Sequence, residues 1–143
     1  MAKVKKKYID TSEWAMAVER AWALQGEIKV PSGDTDFIPP IFLYVPANQT
    51  FTLKFVQYGI NGGTSATFKV KQKTVSAGSY TDVATGIVAD TTPNGNKTDF
   101  SSNNSLAGGS TGTMFMVAIE VTSVSGTPKN LSVTLNYEKP VAI

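Results

Sequence analysis

The stretch Thr50-Phe51-Thr52-Leu53-Lys54-Phe55-Val56-Gln57-Tyr58-Gly59-Ile60-Asn61-Gly62-Gly63-Thr64-Ser65-Ala66-Thr67-Phe68-Lys69-Val70 decides the fold class. Phe51, Leu53 and Phe55 alternate with Thr52 and Lys54, the two-residue period of a half-buried strand. At Val56 the phase slips, and Val56, Tyr58 and Ile60 continue on the other parity. A slip of one residue is the mark of a β-bulge. Asn61-Gly62-Gly63 supplies a turn. Ala66, Phe68 and Val70 then face one way, with Thr67, Lys69 and Lys71 opposite. The pattern predicts a β-hairpin over residues 50–72.

The same period extends on both sides. Glu27–Val30 and Ile41–Val45 read as short strands, broken by Pro31, Pro39, Pro40 and Pro46. Downstream, residues 80–88 hold one or two strands. Residues 89–110 are polar and read as loops around a short edge strand near Phe100; a loop of this length is functional or mobile. Thr113–Thr122 is almost wholly apolar and reads as a strand buried on both faces. Leu131, Val133, Leu135 and Tyr137 alternate with Ser132, Thr134 and Asn136 in a last strand. Seven or eight short strands between frequent turns predict a mainly β fold, an antiparallel β-sandwich or jelly roll.

One segment has a different period. Trp14, Val18, Ala21 and Trp22 fall at i, i+4, i+7 and i+8, with Asp10 and Glu13 as a capping-box-like start and Gly26 as a stop. This predicts one short amphipathic N-terminal helix over residues 10–24. Residues 1–9 read as a flexible basic arm. The organisation expected is therefore an arm and anchoring helix over 1–25 and a sandwich domain over 26–143.

The 143 residues contain no Cys and no His. Disulfides, thiol nucleophiles, His bases and Cys/His zinc sites are thereby excluded. No apolar run is long enough to span a membrane as a helix. Net charge is +2, yet Lys3, Lys5, Lys6 and Lys7 lie within the first seven residues, so the rest of the chain is net −2. Arg20 is the only arginine, which argues against nucleic-acid recognition. The lysines are not followed by the apolar stretch of a secretory signal. The Ser-, Thr-, Asn- and Gly-rich body nevertheless has the look of an extracellular β domain.

Catalytic and metal motifs are wanting. There is no phosphate-binding glycine loop and no nucleophile elbow. Asp34-Thr35-Asp36 lacks the remaining ligands of a calcium loop and reads as a turn. Asp82, Asp90 and Asp99 lie in the loop-rich region, where two carboxylates would be needed for glycoside hydrolysis, but no pattern singles out a pair. The expectation is no enzyme activity, no cofactor and no metal. Four Asn-x-Ser/Thr sequences, at Asn48, Asn96, Asn103 and Asn130, are expected by chance in a chain so rich in Ser and Thr, and without a secretory signal they are not read as glycosylation sites. For a glycan-binding surface Tyr80 is the aromatic best placed in an exposed loop, since both tryptophans belong to the N-terminal segment.

Two stretches carry a likeness. Gly26-Glu27-Ile28-Lys29-Val30-Pro31-Ser32-Gly33-Asp34-Thr35-Asp36-Phe37-Ile38-Pro39-Pro40-Ile41-Phe42-Leu43-Tyr44-Val45-Pro46-Ala47-Asn48-Gln49-Thr50 is one, and Val124-Ser125-Gly126-Thr127-Pro128-Lys129-Asn130-Leu131-Ser132-Val133-Thr134-Leu135 the other. Over roughly 26–72 and 112–138 the chain resembles small β-rich virion structural proteins of tailed bacteriophages, of the minor tail or head decoration type. The resemblance implies a structural protein made in the host cytoplasm without a signal and then carried on the virion. It implies other virion proteins as partners and assembly as a homotrimer, without nucleic acid or membrane. The segregation of charge suggests that Lys3, Lys5, Lys6, Lys7, Trp14, Val18 and Trp22 form the anchor to the particle. The alternative is a non-catalytic module that binds a host-surface glycan or receptor.

Overall fold

The computed structural model describes residues 16–30, 40–93, 95–100 and 103–139. Among these the secondary structure is nine strands without a helix: β1 (Met16–Ala23), β2 (Ile41–Val45), β3 (Thr50–Gly59), β4 (Ser65–Thr74), β5 (Thr81–Ala89), β6 (Asn96–Lys97), β7 (Ser105–Ala107), β8 (Thr113–Ser125) and β9 (Ser132–Lys139). They form two antiparallel sheets. The first runs β1-β9-β3-β6, with β7 also on the free side of β3; the second runs β2-β8-β4-β5. The mainly β, two-sheet sandwich expected from the alternation is thus present.

Alternation fills the space between the sheets. From the first come Trp22, Phe51, Leu53, Val56, Leu106, Val133, Leu135 and Tyr137; from the second Leu43, Val45, Phe68, Val70, Val117, Ile119 and Val121, all in one core. The Tyr58 and Phe68 rings meet edge to face across it, centroids 5.6 Å apart. Burying each such large apolar side chain contributes about 1.5–3 kcal/mol. On β8 the burial is two-sided only at its middle, Val117-Ala118-Ile119.

The bulge expected in β3 is present: the register against β9 shifts between Leu53 and Phe55, leaving Lys54 exposed and Val56 inward. Phe55 is consequently only half-buried.

Three expectations are corrected. The segment Met16–Ala23 is a strand, paired with β9 from Met16↔Lys139 to Ala23↔Ser132, so the helix predicted over 10–24 does not occupy these residues; residues 10–15, with Trp14, lie outside the described residues. The reason lies in the spacing. Positions 18 and 22 share a face at helical spacing and equally at the two-residue period. A lone helix of this length is marginal in water, whereas the edge of β9 offers eight paired residues. Ala21, the residue that made the helical stripe, is exposed, while Trp22 is buried.

The second correction concerns the hairpin. β3 and β4 do not pair; the turn at 61–64 carries the chain from one sheet to the other. It is fastened to the 125–129 segment by Asn61 N–H to Lys129 O (2.9 Å), Lys129 N–H to Gly62 O (3.2 Å) and Thr64 N–H to Ser125 O (3.2 Å). Third, Glu27–Val30 is not a strand but a single bridge, Glu27↔Lys129. Ile28 still enters the core.

Candidate functional site: a cleft at one edge of the sandwich

β5 is the edge of the second sheet, and β6 and β7 share the edge of the first. Where these edges come together they leave a cleft of ≈ 510 Å³, lined by Asp82, Val83, Ala84 and Thr85 from β5 and by Lys97, Asp99 and Phe100. The volume lies within the range of small-molecule sites.

Local distortions lie along its β5 wall. β5 leaves regular register with β4 around Phe68, Val70 and Lys71, and Gly86 takes φ +64°. Opposite, Asn103 and Asn104, just ahead of β7, are tied to both sheets. Gln72 donates to Asn103 O (2.7 Å), and Asn103, at φ +61°, donates to Asp82 O (3.4 Å). Asn104 donates its side-chain amide to Leu53 O (3.1 Å), and Leu53 N–H donates to Asn104 O (2.7 Å). The stretch expected as loops around one short edge strand near Phe100 carries two short strands, β6 before Phe100 and β7 after it.

The carboxylates of the cleft are solvated and matched. Lys69 Nζ lies 3.3 Å from Asp82, and Lys97 Nζ 3.3 Å from Asp99. The Asp99 side chain is 95% exposed. Two carboxylates from the sequence reading, Asp82 and Asp99, thus share one cleft. Asp90 stands apart: its carboxylate accepts from the Thr92 hydroxyl and from Thr92 N–H (2.9 Å), which hold its pKa below the usual carboxylate value.

Tyr80, the tyrosine expected at an exposed loop position, is engaged by its own chain. Lys71 Nζ and Lys73 Nζ lie over its ring, 4.9 and 5.2 Å from the centroid, in cation–π geometry. Partial burial pushes its phenol pKa up. Phe100 takes its place as the aromatic of the cleft, half-buried against the core. Its signal in the sequence was isolation: one large apolar residue in a long polar segment.

Of the anchor residues, Lys3, Lys5, Lys6, Lys7 and Trp14 lie outside the described residues, as does Asp34-Thr35-Asp36. Val18 and Trp22 are described, share the inward face of β1, and pack on the sandwich's own core. Among the described residues no cluster of acidic side chains could hold a metal ion, and no helix is long and apolar enough to cross a membrane. Three of the four Asn-x-Ser/Thr asparagines, Asn48, Asn103 and Asn130, have positive φ, the left-handed conformation that Asn tolerates in turns.

No protein-family model, curated protein or solved structure matches the chain.

Proposed function

We propose that this chain is a structural protein of a tailed-phage virion, displayed on the capsid or tail surface and held there by its N-terminal segment. The observation that carries the reading is strand order. With β6 and β7 taken as two pieces of one interrupted strand, the sheets run 1-8-3-6 and 2-7-4-5. That is the order of a jelly roll, an architecture shared by viral capsid and lectin domains. Fold alone does not fix function; the lysine-rich start, the absence of Cys and the resemblance to virion proteins supply the rest.

In this reading the sandwich faces outward, and Lys3, Lys5, Lys6, Lys7 and Trp14 contact other virion proteins. Trp22 and Val18 serve the sandwich itself. Trp22 is buried in its own core and so adds little surface to an oligomer interface. Another surface supplies it: Phe42 and Tyr44 on β2 stand opposite Met116 and Met114 on β8, and Phe42, Tyr44 and Met114 are exposed. A homotrimer would cover such a patch. The reading is non-catalytic, supported by cleft carboxylates that are open to water and paired with lysines.

The test is mass spectrometry of gradient-purified particles from an infected culture, with wild-type protein and with residues 1–9 deleted. The reading predicts the wild-type chain on the particle and loss of the truncated one. It predicts salt-sensitive attachment, because screening shortens the reach of charges from about 10 Å at 0.1 M to about 3 Å at 1 M. Particles lacking the chain altogether refute the reading.

A further inference from the structure

We infer that the cleft between β5 and the Lys97–Phe100 segment binds a neutral saccharide. The inference rests on the cleft alone and is independent of where the protein is carried. Its polar groups decide the ligand class. Asp82 and Asp99 are acceptors, each already neutralised by a lysine at 3.3 Å. An anionic ligand would meet both carboxylates, and a cationic one would have to displace Lys69 and Lys97. A neutral ligand rich in hydroxyl donors does neither. Its O–H groups donate to the carboxylate lone pairs the lysines leave unused, and its ring oxygens accept from Lys97 Nζ and the Thr85 hydroxyl.

Phe100 supplies the other half of sugar recognition. Its half-buried ring packs against the core, so an apolar surface is held at the cleft wall at little entropic cost. The C–H face of a pyranose covers such a surface while its hydroxyls stay at the polar groups. Addition of a peptide strand is the competing use of a sheet edge. The register shifts along β5 and the positive φ of Gly86 break the regular ladder that mode requires.

The test is a printed glycan array carrying neutral hexose and N-acetylhexosamine oligosaccharides beside sialylated and sulfated ones, probed with the purified full chain. The strongest hit is then titrated by calorimetry. Binding to neutral glycans is expected, weakened tenfold or more by Phe100→Ala. Thr85→Trp, at an exposed position, fills the cleft without touching the core and gives the same loss should Phe100→Ala fail to fold. Overturning results are no glycan bound, binding confined to sialylated or sulfated glycans, or neutral binding unchanged in Thr85→Trp. Because the assay uses free protein, failure leaves the virion reading standing, and absence from the particle leaves this one standing.

Discussion

Tyr137 carries its hydroxyl into the space between the sheets, where among the described residues it has no hydrogen-bond partner. Burial raises its pKa well above the usual 10.0, opposed by the smaller effect of the Arg20 charge. The sign for stability follows from linkage. The unfolded chain releases this proton near pH 10, whereas the folded chain retains it. Stability is complete below that pH and falls as the pH rises above it. Half-exposed Tyr80 acts in the same direction. Tyr137→Phe is therefore expected to shift stability at pH 7 by less than about 1 kcal/mol and to flatten its decline above pH 10, read from urea melts. An unchanged alkaline slope contradicts the assignment. Lys71 gives a second prediction at this scale. Its side chain is 8% exposed and its Nζ lies 2.7 Å from Glu120. Glu120→Ala should cost about 1–3 kcal/mol by leaving a buried ammonium without its carboxylate. Adding Lys71→Met should recover much of it, and a Glu120→Ala cost near zero refutes that role.

At the scale of elements, alternation was legible and pairing was not. Ile41–Val45 is a strand with the bounds read from sequence, and the phase slip in Thr50–Gly59 located the bulge. Both are local: the period of side-chain burial is written in neighbouring residues. The Asn61-Gly62-Gly63 turn shows where the chain reverses but not into which sheet it goes, because packing against residues 125–129 decides that. Spacing by four at Trp14, Val18 and Trp22 fits a helix and a strand alike, and only the free edge of β9 resolves the ambiguity. The cleft was less legible still. Asp82 and Asp99 stood out as carboxylates, but the edge contact that joins them to Phe100 links elements distant in sequence. Gly63 tests the crossover. It has φ +75°, and a Cβ there would lie 2.4 Å from Pro128 Cα and 2.6 Å from Gly126 O. Gly63→Ala is expected to cost about 2 kcal/mol or more through left-handed strain and overpacking. Gly78→Ala, where a Cβ meets nothing within 4 Å, is the control and should be near neutral. Equal melting temperatures for the two variants would contradict the crossover described.

For the whole molecule, the sandwich divides its labour between a core that covers its own Trp22 and an outer face that leaves Phe42 57% and Tyr44 50% exposed. Light scattering is expected to give a trimer, reduced to monomer by Phe42→Asp with the far-UV spectrum unchanged; a wild-type monomer contradicts the oligomer. As proposed, this domain is displayed on a virion. The most direct measurement is a density map of the intact particle. Surface copies are expected into which the two sheets fit as a rigid body, with β1 entering from the particle side. A map whose surface density is fully explained by other proteins would contradict it.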